Sequence, residues 1–346
     1  MAKIFLTGAS GYIGGDVLHA LRLALPKCEY SVLLRDKEKA KKISAAYPDV
    51  RVVVGDLEAA AVIEKEASQA DVVIHAASTN HIKSVEAIAR GLSAENRAKP
   101  GHWIQISGAS VLSMPDIENK TFGQASSSVY SDLDGAEEVR ALIKRYSSKR
   151  IVDNFVTHLP PTAMRPRTAL IFGPIIYGRG RGTGNRRSIQ IPELARANLQ
   201  RREGVQVGKG ESTWSNVHVA DLSNIFVKLV EKALGGAEGE LWNENGLYFP
   251  MNEGMLSFNE ISQRIAQEAY NLGLADSTSV TEIDPSDADS ITPHAAVVLG
   301  TNAKQVAQRA RKYLGWVPEQ HTLEEELPLA VRAEAERLGL ADTSKL

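Results

Sequence analysis

Near the start of the chain a short apolar run, Lys3-Ile4-Phe5-Leu6-Thr7, breaks into Gly8-Ala9-Ser10-Gly11-Tyr12-Ile13-Gly14. Apolar residues then recur at helical spacing (Ile13, Val17, Leu18, Leu21, Leu25) until Pro26 stops them. A strand that turns at once into a helix through glycines opens a βαβ unit. Each glycine there serves a separate need: a tight turn, backbone close to a pyrophosphate, and a helix packed tightly on its strand. The helix N-terminus presents unpaired N–H groups to phosphate. Strand, glycines and helix in this order predict a dinucleotide phosphate site over 7–14, with Gly8, Ser10, Gly11, Tyr12 and Ile13 as its residues.

The pattern repeats down the chain. Strand signals at 30–34, 51–54, 71–76, 103–107 and 168–172 alternate with helical ones at 36–46, 59–68, 84–94, 135–146 and 150–158. Short apolar strands between helices predict an α/β fold, a doubly wound parallel sheet covered on both faces. Residues 114–130 read as a long polar loop, and the Gly- and Arg-rich 177–187 as a mobile one. Further helices are predicted at 191–202, 221–234, 258–272, 302–314 and 322–338, with a strand at 215–219. The 346 residues suffice for a dinucleotide-binding domain over 1–180 and a smaller substrate lobe over 181–346. Residues 215–235 are expected to return to the first domain.

Composition excludes some partners. At a net charge of −2 the chain has no general electrostatic reason to hold nucleic acid or an anionic membrane. Cys28 is the only cysteine, so neither an intrachain disulfide nor a Cys-rich zinc site is expected. No stretch approaches the roughly 20 apolar residues of a membrane span, and the N-terminal run is too short for a secretory signal. Cytoplasm is the expected location.

The Gly-x-x-Gly-x-x-Gly spacing resembles the extended branch of the short-chain dehydrogenase/reductase family. An NAD-preferring site ends its second strand in an acidic residue. Here the run is Val32-Leu33-Leu34-Arg35-Asp36. A guanidinium at Arg35 suits the 2′-phosphate of NADP, with Lys39 one helical turn on. Asp36 keeps NAD open. The resemblance implies that Asp56 and Leu57 hold the adenine, and that His75-Ala76-Ala77 lets backbone approach the cofactor.

Later segments extend the resemblance over nearly the whole chain: Phe172-Gly173-Pro174-Ile175-Ile176-Tyr177-Gly178, Val217-His218-Val219-Ala220-Asp221-Leu222 and Leu314-Gly315-Trp316-Val317-Pro318. The reaction centre departs from the family. Its Tyr and Lys lie four apart so that both project from one helix face, beside a Ser or Thr. This chain has no Tyr-x-x-x-Lys. Tyr146 is the nearest match, and Arg150 stands in the Lys position. Arginine supplies charge but does not titrate as a base. Gly108 falls at the usual hydroxyl position, leaving Ser107 or Ser110 to substitute. Tyr146, Arg150 and Ser107 are the expected catalytic set, and His81 reads as an exposed loop histidine. No metal site is expected.

Three functions follow. The first is NADP(H)-dependent reduction of a carbonyl or imine in a small or medium organic molecule. The second is a nucleotide-sugar epimerase or dehydratase with recycled cofactor, motivated by the arginines of 179–187. The third is a dinucleotide-binding sensor, motivated by the missing Lys. A homodimer is a family expectation.

Overall fold

Alternating side chains along the first strand set the architecture. Ile4 and Leu6 point to one side, Phe5 to the other, and none is more than 1% exposed. A strand buried on both faces needs a layer on each. The computed structural model, which describes residues 1–340, supplies both layers. The chain opens as β1 (Lys3–Thr7), α1 (Tyr12–Ala24), β2 (Glu29–Leu34), α2 (Lys37–Ala46), β3 (Arg51–Val54), α3 (Ala60–Gln69), β4 (Val72–His75), α4 (Ile82–Leu92) and β5 (His102–Gly108). Seven parallel strands form one sheet in the order Leu247–Tyr248, Arg167–Gly173, β5, β4, β1, β2, β3. Ile4, Leu6, Val72 and Ile74 pack with Val17, Leu18 and Leu21 of α1 and with Leu222, Ile225 and Phe226 of helix Val219–Leu234. Phe5, Val73 and Trp103 pack oppositely with Ile63, Val85, Ile88, Val139 and Val152. Each large apolar side chain so buried contributes about 1.5–3 kcal/mol. Strand order reverses between β1 and β4, and a crevice for ligand opens at that point of the carboxyl edge.

The smaller lobe rests on Gly204–Val207, paired in parallel with Val280–Ile283. Helices Gln190–Arg201, Phe258–Asn271 and Leu323–Arg337 pack around it. Two of these helices begin in capping boxes, Ser257 with Glu260 and Thr322 with Glu325. Each box satisfies N–H groups that the helix cannot pair internally.

Several sequence expectations change. Residues 114–130 include a short helix, Met114–Asn119, that ends at Lys120 in the left-handed region (φ 54°). The helix expected over 302–314 is confined to Arg309–Leu314, because Gln305–Val306 instead pairs with Tyr130–Ser131. Asn302, just upstream, is held by Asp116 Oδ2 at 2.7 Å from its N and 2.9 Å from its Nδ2. Strand Leu247–Tyr248 joins the main sheet from within the expected lobe and is too short to leave a periodic signal. Residues 177–187 are tied down rather than mobile. Among the described residues no helix is long and apolar enough to cross a membrane.

Candidate active site

The glycine turn forms one wall of a groove of about 460 Å³. Gly8 has φ +86°, and a Cβ there would lie 2.6 Å from the Ala76 carbonyl. A Cβ on Gly14 would lie 2.3 Å from the Gly8 oxygen, so α1 sits flush on β1 only without a side chain. Gly11 caps α1 with no side-chain hydrogen bond. The first amides of the helix therefore await an outside acceptor. These features fit a pyrophosphate laid across the turn, and Gly8, Ser10 and Gly11 line the groove. Arg35, Asp56, Leu57, Ala76 and Ala77 complete the expected lining, with Lys39 beside Arg35.

Three expected residues serve the groove from behind. Tyr12 donates its hydroxyl to the carbonyls of Tyr177 (2.9 Å) and Gly178 (2.6 Å), and burial raises its pKa well above the usual phenol range. Ile13 packs against the α1-side core. His75 is fully buried between Thr7 Oγ1 (2.7 Å) and Ser84 Oγ (3.4 Å). Burial pushes its pKa down to about 3, so the ring is neutral. His81 is not a free loop residue. Its Nδ1 accepts from Ser84 N as the cap of α4, and its Nε2 lies 2.9 Å from Glu58.

Arg35 and Asp36 divide their work. The Asp36 carboxylate accepts from Glu38 N (2.8 Å) and Lys39 N (3.0 Å) as the cap of α2. The Lys39 amide bond is the main cause of its lowered pKa. Arg35 is exposed, lines the groove and has no hydrogen-bond or ionic partner among the described residues.

The catalytic expectation needs correction at Tyr146. Helix Ala136–Arg145 ends before it, and Ile151–Thr157 begins after Arg150. Tyr146 and Arg150 are therefore caps of two helices, not neighbours on one face. The Tyr146 hydroxyl donates to Glu118 at 2.6 Å, and Arg145 donates to the same carboxylate oxygen. Desolvation and the Glu118 bond raise the Tyr146 pKa, the opposite of what a phenol base needs. Arg150 is instead buried with Ser107 at the end of β5. Its Nη2 donates to Ser107 Oγ (2.8 Å) and to the Gly108 carbonyl (3.1 Å), and its Nη1 to Ser110 Oγ (3.1 Å). Its Nε donates to Asp153 Oδ2 at 2.8 Å. Burial pushes the Asp153 carboxyl pKa up despite the guanidinium beside it.

A model of the NAD dependent epimerase/dehydratase family matches residues 4–243. This chain belongs to that family. It is 36% identical to Oxidase ucsJ of Acremonium sp over 346 residues, covering 98% of this chain and 99% of that protein. An uncharacterized protein of Saccharomyces cerevisiae is 25% identical across 94% of this chain and 97% of its own. UDP-glucuronic acid 4-epimerase of Bacillus cereus, solved with NAD, matches with a TM-score of 0.65 at 14% identity, covering 99% of both chains. The dTDP-glucose 4,6-dehydratase DesIV of Streptomyces venezuelae, solved with NAD and TYD, gives 0.63 at 15% identity, covering 98% of this chain and 99% of that one. At these identities the solved structures speak to the fold alone.

Within this NAD dependent epimerase/dehydratase frame, the structure adds groups the motifs did not flag. A cleft of about 890 Å³ lies between residues 178–188, His218, His321 and helix Leu323–Arg337. Burial and the neighbouring His321 push His218 down to about 4. His321 Nε2 lies 2.6 Å from Glu326 Oε2. Most of the arginines of 179–187 are engaged inside the protein: Arg181 with Asp16, Arg186 with the Gly180 carbonyl, and Arg187 with Glu193 and Glu334. One signal pointed to the first pair. Asp16 sits among the apolar residues of α1, and a charge on that face needs a partner.

Proposed function

We propose that this protein is an NADP(H)-dependent oxidoreductase acting on a carbonyl or imine group of a small or medium organic substrate. One observation carries the cofactor choice. Arg35 stands unpartnered at the groove among the described residues, while Asp36 Oδ1 is engaged in capping α2. A ribose 2′-phosphate finds there a guanidinium that no internal carboxylate already holds. The family and the oxidase relative support redox chemistry. Bound cofactor would supply the hydride. Gly8, Ser10, Gly11 and the first amides of α1 would hold its phosphates, and Asp56 and Leu57 its adenine. Ser107 and Arg150 would stand at the nicotinamide end, with Arg150 Nη2 holding the Ser107 hydroxyl in place. Tyr146 joins them only by leaving Glu118.

The nucleotide-sugar alternative has less support, since among the described residues the loop that motivated it offers a diphosphate only Arg179 free of internal partners. A titration of the purified protein with NADPH and NADH, followed by heat or tryptophan fluorescence, tests the proposal. Tight NADPH and weak NADH binding is expected. A preference for NADH would transfer the role to Asp36, and binding of neither would end the enzyme reading.

A further inference from the structure

The carboxylate of Asp16 is completely buried in α1, the helix whose N-terminus faces the groove. Burying a carboxylate costs several kcal/mol unless charge and hydrogen bonds compensate. Asp16 receives four hydrogen bonds: from Arg181 N (2.8 Å), Nε (3.0 Å) and Nη2 (2.6 Å), and from Ser223 Oγ (2.7 Å). Arg181 sits in Gly180-Arg181-Gly182-Thr183-Gly184, where glycine recurs at the period of an extended chain. Each of those glycines presses on the phosphate turn or the start of α1. A Cβ on Gly180 would lie 3.1 Å from the Tyr12 ring, on Gly182 2.7 Å from Gly15 backbone, and on Gly184 2.2 Å from the Ser10 carbonyl. Asn185 N also donates to that carbonyl at 3.0 Å. Ser10 lines the cofactor groove, and Gly184 and Asn185 line the larger cleft. One strap is thus the wall between two cavities.

We propose that residues 180–185 form a positioning strap for the dinucleotide pyrophosphate, latched by the Asp16–Arg181 pair. This rests on the dinucleotide reading above. The latch holds Ser10 and the first turn of α1 in the shape that receives phosphate, so that ordering is complete before the ligand arrives. Asp16 touches no ligand and acts through the strap.

The test compares the wild type with Asp16→Asn, using NADPH and adenosine 2′-monophosphate as probes. The second probe carries the Arg35 contact and lacks the pyrophosphate. NADPH is expected to bind Asp16→Asn at least about tenfold more weakly, with 2′-monophosphate affinity unchanged; tenfold corresponds to about 1.4 kcal/mol. Trypsin should cut the variant at Arg179, Arg181, Arg186 or Arg187 where it spares the wild type, and NADPH should restore protection. Wild-type NADPH affinity in the variant overturns the proposal. So does equal weakening of both probes in a folded protein, which marks general loosening. If Asp16→Asn does not fold, Arg181→Lys is judged by the same criteria. If the wild type binds neither dinucleotide, the functional reading fails. Protection of the strap by inorganic pyrophosphate, present in the wild type and lost in the variant, then decides the latch by itself.

Discussion

Two stretches of the sheet's carboxyl edge, on either side of β4, are built on opposite plans. At the ends of β1, β2 and β3 the groove is open, and its polar groups face outward: free helix amides just after Gly11 and, among the described residues, an unpartnered guanidinium at Arg35. At the end of β5 the polar groups face each other. Arg150, Ser107 and Asp153 form a buried cluster, with half-buried Ser110 at its edge, in which the charge is already countered. The first region is prepared for a ligand that brings negative charge. The second is prepared to hold its own shape.

The comparison breaks most sharply at Arg150. Arg150→Ala would leave Asp153 buried without its partner, at an expected cost of about 3–5 kcal/mol. Denaturant unfolding measures it. A loss under about 1 kcal/mol would show that the cluster does not hold the β5 end.

Acid sharpens the contrast from the other side. Folding keeps His75 neutral with a pKa near 3, and His102 and His218 near 4, while unfolded histidine titrates near 6.5. These depressed values stabilise the fold fully above pH 6.5. That contribution is lost as pH falls from about 6.5 towards 4, at about 1.4 kcal/mol per pH unit for each histidine. Melting temperature against pH should show this slope. His75→Asn should remove one histidine's share of it, and an unchanged slope would mean that His75 is not held neutral by the fold.

A smaller effect is expected at Arg35. Losing a hydrogen bond to a charged group costs about 1.5–3 kcal/mol. Arg35→Ala should therefore weaken NADPH by about 10- to 150-fold and leave NADH unchanged. Equal effects on both cofactors would move 2′-phosphate recognition to another residue.

Tyr146→Phe should change least. The hydroxyl lies in a surface bond to Glu118, so stability is expected to shift by less than about 0.5 kcal/mol. Single-turnover oxidation of bound NADPH reports whether the phenol acts. A large loss of rate with stability intact would place Tyr146 in the reaction centre and require it to leave Glu118.

The cofactor half was legible because its physics is local. Turn, helix start and strand end lie within 7–14, and Arg35 follows β2 directly. The reaction half was not. The interval from Tyr146 to Arg150 matches one helical turn, yet Arg150 turns inward to Ser107 and Asp153 and the helix stops at Arg145. The glycines and arginines of 177–187 carry the composition of a mobile loop, yet the partner that latches Arg181 lies 165 residues away.

The sequence by itself determined six of the seven main-sheet strands, the glycine turn and the family, because hydrophobic period and backbone freedom are written in neighbouring residues. Only the tertiary structure decided which charges meet. A buried carboxylate takes whichever cation the fold brings to it, and nothing near Asp16 in the chain names Arg181, 165 residues away.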